Sequence, residues 1–223
     1  DIDDLAYVIY EADNIAAGAD RREAEGDLND RGAKFDSDLC LENIFNVFSG
    51  DAEPSYFSLR ELDAMKKENF PHGNKSIATQ GQYASIMRYM EKNFRMKSPI
   101  SMEENELLRI LEDTLIYVPS STNTEEHADI SLYDHMKMTG ATAAVLMKYM
   151  KTLGITDYKG FCFTHNKENR NKGVFLMISG DFSGIQKFIY HIRSEGAMRM
   201  LRGRSFYLDI ALENIVDELL NAL

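Results

Sequence analysis

The 223 residues suffice for one large domain or two small ones, and a composition with 44% hydrophobic and 27% charged residues is typical of a globular protein with a buried core. The net charge of −11 excludes a protein that is basic overall and coats nucleic acid, although it leaves room for a local basic patch. Two cysteines are too few for a disulfide framework or a cysteine-rich zinc site, and they favour a reducing, cytoplasmic location.

The start of the sequence and the length of its apolar runs also indicate where in the cell the protein is expected. No apolar run approaches the ~20 residues that span a bilayer, so we expect no membrane partner. The first residue is Asp1 rather than Met, and no charged-then-apolar leader follows it. We therefore expect a piece of a longer cytoplasmic protein.

Apolar side chains repeat at helical spacing in four segments, which predicts four helices before residue 172. Their approximate ranges are 1–22, 83–94, 101–115 and 129–150. One apolar stripe on the first helix comprises Leu5, Val8, Ile9, Ala12 and Ala16. Ser101 is the predicted N-cap of the third helix, because Glu104 follows three residues later in the pattern of a capping box.

Three further features complete the helical part. The polar segment 23–38 is predicted to be a loop, and the short apolar cluster 41–48 fits either a helix or a strand. The centre of the fourth helix, residues 139–144, has only small side chains. Because small side chains let neighbouring backbones approach, we expect that helix to be packed on most of its circumference.

The pattern changes near residue 172. Residues 174–179 form a continuous apolar run rich in strand formers, which predicts a strand buried on both faces. The turn 180–184 follows, then a helix from Ile185 and, after a basic stretch, a final helix. A buried strand needs partners on both sides, and no second convincing strand follows, so this second domain is expected to be incomplete.

The turn 180–184 has the chemistry of a phosphate cradle. Gly180 and Gly184 permit close backbone approach, and the next helix offers free N–H groups. Asp181 could hold a divalent metal, and the Ser183 hydroxyl could bond a phosphate or a ribose. The alternative is that Asp181 or Ser183 simply caps the helix.

A basic stretch comes next, in a chain that is otherwise acidic. Glu195 is the single acid among Lys187, Arg193, Arg199, Arg202 and Arg204. These cations could contact nucleotide phosphates, RNA or a protein neighbour. Equally, they could pair with acids elsewhere in the fold.

Asp13 lies at the edge of the apolar stripe of the first helix. A carboxylate in that position must be hydrogen-bonded, ion-paired or metal-bound, because an unpaired buried charge is costly. A salt bridge to Arg21 or Arg22, a bond to a neighbouring helix and a metal all remain open. His135, on the fourth helix, is interpreted as a satisfied core histidine rather than a ligand, since no histidine pair has metal-ligand spacing.

Several motifs resemble one family. GDFSGIQKFIYHI (180–192) and RGRSFYLDIALENIVDELL (202–220) are similar to the first palm domain of the large subunit of type III-A CRISPR effector complexes, the HD-nuclease and cyclic-oligoadenylate-synthase subunit. ADISLYDHMKMTGATAA (128–144) resembles the helix before that palm, and VPSSTN (118–123) fits the preceding segment. YEADNIAAGADRR (10–22) resembles the last helix of the HD domain.

The resemblance implies an α+β fold. Residues 1–172 would be the C-terminal part of an HD domain plus a helical linker. Residues 173–223 would be the first strand and two helices of a ferredoxin-like, cyclase-type palm domain.

The resemblance also implies activities, cofactors and partners. The full subunit would cut single-stranded DNA with a divalent metal of the Mn, Mg, Ni or Co class, and would join ATP into cyclic oligoadenylate when CRISPR RNA pairs with target RNA. Asp13 would bind the metal. Asp181, Ser183 and Gly184 would face the nucleotide. The remaining candidates, near phosphate or another subunit of the complex, are Arg199, Arg202 and Arg204.

The sequence also departs from the family pattern. It contains no adjacent His-Asp pair, no Gly-Gly-Asp-Asp motif and no cysteine-rich zinc element. Neither active site is complete, so we expect residues 1–223 alone to catalyse neither reaction. The alternative is a non-catalytic scaffold segment that anchors the RNA-bearing subunits.

Overall fold

The computed structural model describes residues 1–20, 22, 34–48, 53–63, 67–73, 77–191 and 196–222. The chain divides into two compact units, Asp1–Phe175 and Leu176–Leu223. Helices dominate both units, which was predicted for the first unit only, and most of the predicted loop 23–38 lies outside the described residues. Among the helices that are described, none has the length and apolar character needed to cross a bilayer.

The helices of the first unit match the four predicted from periodicity, with one short addition. The described α-helices are α1 (Leu5–Asp20), α2 (Gln80–Met96), α3 (Glu104–Leu115), α4 (Leu132–Thr152) and α5 (Asn166–Asn169). Short 3₁₀ turns occur at Ile44–Phe48, Lys67–Asn69 and Pro99–Ser101, and a π-helix at Gly160–Thr164. The second unit contains α6 (Ile185–Tyr190) and α7 (Ala197–Ala222).

The first unit has two hydrophobic cores. One joins α2, α3 and the start of α4 through buried residues that include Leu59, Ile86, Leu115 and Tyr133. The other joins α1, α4 and the π-helix through Val8, Ala12, Leu146, Met150 and Cys162. Cys40 and Cys162 are buried free thiols, and burial raises the pKa of Cys162 to about 11, so this thiol is an inert packing group.

The buried face of α1 differs from the predicted stripe. Leu5 and Ile9 are more than half exposed, and Glu11 is buried beside Ala12. An ion pair makes the burial of Glu11 tolerable, because Arg170 binds both of its carboxylate oxygens. The apolar stripe is therefore rotated toward Glu11.

Two expectations about helix ends and packing were wrong. Glu103, not Ser101, is the N-cap of α3, because Ser101 belongs to a 3₁₀ turn in which its hydroxyl donates to the Ser98 carbonyl. The α4 helix buries one side only within the described structure, and Ala141 and Ala144 are exposed. By contrast, the N-cap of α4 is well defined, since the Ser131 hydroxyl accepts the Asp134 N–H.

The predicted strand at 174–179 is not formed. A strand is defined by its pairing, and the described residues contain only isolated bridges, none of which involves 174–179. The two helices after the turn are present, but α7 begins at Ala197 and so includes Arg199, Arg202 and Arg204, which were expected to precede it. Arg193, from the same basic stretch, lies outside the described residues.

Candidate functional site

A cavity of about 370 Å³ lies in the first unit beside α1 and α4. Helix α1 contributes Asp13 and Asp20, which are seven residues apart and so lie on one face two turns apart. Helix α4 contributes His135 from its first turns. The polar side chains of the remaining wall are Ser120, Ser121, Glu126 and His127.

His135 joins the two carboxylates. Its Nε2 lies 2.9 Å from Asp13 Oδ1, and its Nδ1 lies 2.8 Å from Asp20 Oδ2. A neutral imidazole carries one N–H, whereas an imidazolium carries two. Since both ring nitrogens face carboxylate oxygens, the charged imidazolium satisfies this arrangement. We call the three residues the Asp13–His135–Asp20 clamp.

The clamp raises the pKa of His135. Burial alone would lower this pKa, because it penalises the charged ring, but the hydrogen bonds to Asp20 and Asp13 and the charges of both carboxylates outweigh it. The His135 and Asp20 side chains are 14% and 19% exposed, whereas Asp13 is 57% exposed, so the clamp connects α1 to α4 with its Asp13 end at the surface. Across the cavity, Glu126 and His127 are the other titratable side chains of the wall.

Replacing His135 with glutamine is expected to destabilise the first unit in a pH-dependent way. Because the folded-state pKa lies above the ordinary value of 6.5, the stabilisation is complete below about pH 6.5 and is lost as the pH rises through the folded pKa. Urea unfolding at pH 6 and pH 9 measures this, and the gap between wild type and His135→Gln should be larger at pH 6. His165→Gln, at an exposed histidine outside the cavity, is the control. An equal gap at both pH values would contradict the charged clamp.

The clamp settles how Asp13 is held in this structure. The partner is a side chain of a neighbouring helix, one of the alternatives left open by the sequence, while Arg22 pairs with Asp129 instead and Arg21 lies outside the described residues. Among the residues that the structure describes, no group of three His, Cys, Asp or Glu side chains is arranged to hold a metal ion.

The part of the cavity wall formed by residues 120–127 is fixed by its own hydrogen bonds. The Ser121 hydroxyl and the Asn123 amide each donate to Glu126, at 3.1 Å. His127 Nδ1 lies 3.0 Å from a carboxylate oxygen of Glu42. This wall is therefore preorganised and polar.

The turn 180–184 lies in the second unit. Gly184 adopts φ 80°, a left-handed conformation that favours glycine, and it is the N-cap of α6 without any side-chain hydrogen bond. Asp181 and Ser183 are exposed, and neither caps the helix, so the capping alternative is not realised. Asp181 also lines a largely apolar cavity of about 430 Å³, whose wall includes Leu176, Ile178, Leu212, Ile215 and Leu219.

The three candidate arginines have different environments. The Arg204 guanidinium donates to the carbonyls of Phe188 and His191 and lies 5.2 Å from the Phe188 ring centre. It therefore attaches the end of α6 to α7. Arg199 and Arg202 are exposed, and within the described part of the chain neither is seen in an ion pair.

Sequence reasoning missed two features of these sites. Asp20 was not singled out, although its spacing of seven residues from Asp13 could have identified it. The Glu11–Arg170 pair joins residues 159 positions apart, and no local pattern indicates it.

Comparison with known proteins identifies the class first: the chain is similar to proteins of CRISPR systems. A model described as "Csm1 subunit domain B" matches residues 174–223. Relatives named "CRISPR system single-strand-specific deoxyribonuclease Cas10/Csm1 (subtype III-A)" share 38% identity over 220 residues in Mycobacterium tuberculosis and 38% over 223 residues in Streptococcus thermophilus. Over nearly its whole length the chain is thus homologous to the Cas10/Csm1 proteins of subtype III-A.

The matched region is only part of those relatives. The matches cover 96% of this chain and 26% of the M. tuberculosis protein, and 99% of this chain and 29% of the S. thermophilus protein. A solved structure described as "Crystal structure of Csm1-Csm4 cassette in complex with cA4" is similar over 96% of this chain and 24% of that chain, with a TM-score of 0.65 and 26% identity. The chain thus spans less than a third of the length of these proteins.

Proposed function

We propose that the full-length subunit degrades single-stranded DNA at a metal-dependent HD site and makes cyclic oligoadenylate from ATP on its palm domains when CRISPR RNA pairs with target RNA. The observation that carries the nuclease part is the similarity, at 35–38% identity over nearly the whole chain, to four relatives named as single-strand-specific deoxyribonucleases. The similar solved structure is a complex that contains cA4, and this supports the oligoadenylate part.

In this proposal residues 1–172 are the end of the HD domain and its linker, and Asp13 is one ligand of the divalent metal. Two observations support this role for Asp13. Its carboxylate lies at a polar cavity, and one of its oxygens is oriented by His135. The other ligands would be supplied by residues outside the described set.

Residues 173–223 would begin a ferredoxin-like palm, with Asp181, Ser183 and Gly184 facing ATP. The cavity beside Asp181 has an apolar wall, which suits a nucleotide base, and the left-handed Gly184 leaves the backbone of the turn open. These features support the assignment of the turn to nucleotide binding.

The second candidate function is a non-catalytic scaffold. Exposed apolar side chains of α7, such as Phe206 and Leu220, favour an assembly role, and the similar solved structure is a cassette of Csm1 with Csm4. Under this alternative the turn 180–184 would be vestigial, and the chain would anchor other subunits of the cytoplasmic complex.

Activity assays on purified residues 1–223 and on the full-length subunit test the proposal. We expect the full-length subunit, in its complex with CRISPR RNA and target RNA, to cut single-stranded DNA with Mn²⁺ and to convert ATP to cyclic oligoadenylate. Residues 1–223 alone should do neither, since the described residues complete neither site. Robust turnover by residues 1–223 would contradict this division, and an intact complex without either activity would favour the scaffold.

A further inference from the structure

Helix α7 has a charge distribution that opposes its own dipole. Arg199 and Arg202 lie in its first two turns, whereas its acidic residues lie further along, at Asp209, Glu213, Asp217 and Glu218. The N-terminal end of a helix is the positive end, so it is stabilised by acids and not by arginines. Helix stability therefore does not explain Arg199 and Arg202.

These two arginines also have no structural role that the described residues reveal. Arg204, close by on the same helix, donates to two backbone carbonyls and holds α6 against α7. Arg199 and Arg202 are exposed, and no ion pair or hydrogen bond of their side chains occurs among the described residues. Within the described part of the chain, nothing engages their guanidinium groups.

An aromatic ring lies on the same face of the helix. Positions 199, 202 and 206 are related by i, i+3 and i+7, which places their side chains in one narrow stripe. The Phe206 side chain is 64% exposed. Gly203 lies beside this stripe, and a Cβ added there would meet nothing within 4 Å, so a ligand can approach the helix backbone closely. We call this stripe the Arg199–Arg202–Phe206 face.

We propose that the Arg199–Arg202–Phe206 face binds single-stranded DNA, with the guanidinium groups on successive phosphates and the Phe206 ring stacked on a base. Guanidinium forks match phosphate oxygens, and an exposed aromatic ring next to cations is the usual platform for an unpaired base. The bases of a duplex are already stacked on one another, so the Phe206 ring would find no free base. An acidic peptide could bind the guanidinium groups, but it would leave the exposed ring unexplained. The choice of DNA rests on the proposed function.

The test is fluorescence anisotropy of a labelled oligothymidylate with residues 1–223, over a range of salt concentrations. The variant is Arg199→Gln/Arg202→Gln. Its matched control is Lys148→Gln/Lys151→Gln, which removes the same charge at the same i, i+3 spacing from exposed positions of α4. Circular dichroism should show that both variants keep wild-type helix content.

The expected result is quantitative. Each phosphate contact to a single strand contributes ~0.7 to the slope of log affinity against log salt, so the double variant should reduce that slope by about 1.4. Its affinity at ~0.1 M salt should fall roughly 10- to 30-fold on the same basis, and that of the control by much less. Phe206→Ala should cost about 5-fold or more through lost stacking. Arg199→Lys/Arg202→Lys should bind with intermediate affinity.

Several results would overturn the proposal. One is no binding of the oligothymidylate by the wild type at low salt, and another is an equal loss in the Lys148/Lys151 control. Binding of single-stranded RNA only, or equally effective competition by a polyglutamate peptide, would assign the face to a different partner. The proposed function is judged separately, because DNA cleavage by the full-length subunit is measured without reference to this face. Binding of the oligothymidylate without DNA cleavage by the full-length subunit would refute the proposed nuclease function. Cleavage without such binding would refute the proposed role of the Arg199–Arg202–Phe206 face.

Discussion

Replacing Arg170 with alanine is expected to lower the free energy of unfolding of the first unit by about 2 kcal/mol, less than for a pair buried at both ends, because the Arg170 side chain is 45% exposed. The Arg170 guanidinium donates to both oxygens of Glu11, from Nε at 2.6 Å and from Nη2 at 2.9 Å. Glu11 is only 4% exposed on the packed face of α1. Removing its partner leaves a buried carboxylate without a counter-charge, and that is the costly way to break an ion pair.

Urea unfolding of residues 1–223 measures this change, with Arg95→Ala as the matched control. The Arg95–Glu91 pair, at 3.3 Å, is an exposed contact within one helix, with the two side chains 81% and 56% exposed. An exposed pair of this kind contributes only ~0.3–0.5 kcal/mol. If the two variants are destabilised equally, the Glu11–Arg170 pair does not hold α1 to the segment after the π-helix.

Replacing Asp13 with asparagine is expected to reduce cleavage of single-stranded DNA by the full-length subunit at least ~100-fold, since changing residues that merely orient a metal ligand already costs ~10- to 100-fold. In the proposed role Asp13 is itself a ligand of the metal, so its loss should cost more. Because Asp13 also bonds to His135, the same change loosens the contact between α1 and α4. Cleavage rates under single-turnover conditions measure the loss.

His135→Gln separates these two effects of Asp13→Asn. It disrupts the Asp13–His135–Asp20 clamp and leaves the Asp13 carboxylate in place. If the role of Asp13 were purely structural, both variants would lose stability and cleavage in parallel. We expect instead that His135→Gln, which removes only the group that orients the Asp13 carboxylate, lowers cleavage ~10- to 100-fold, and that Asp13→Asn lowers it further.

Local sequence patterns predicted the helices well, because the spacing of apolar side chains that forms a helical face lies within the helix itself. Helical spacing of apolar side chains located α1 to α4, and the break at Gly196 preceded α7. The rotated face of α1 could not be predicted, since it depends on Arg170 from a distant segment. The side-chain partner of Asp13 was one of several alternatives for the same reason, because His135 lies 122 residues away.

The apolar run 174–179 shows a structural feature that composition alone does not predict correctly. Its composition satisfies the requirements of a buried strand, but composition does not supply pairing partners, and the described residues offer none. The turn 180–184 was predicted from its glycines, and the structure adds that Gly184 adopts a left-handed conformation, which glycine tolerates.

The most direct test of the proposed division into two active sites compares Asp13→Asn and Ser183→Ala in the assembled effector complex, with both reactions assayed on each variant. We predict that Asp13→Asn loses DNA cleavage and keeps oligoadenylate synthesis, whereas Ser183→Ala loses synthesis and keeps cleavage. Loss of complex assembly with Ser183→Ala, or full retention of both activities by both variants, would contradict that division.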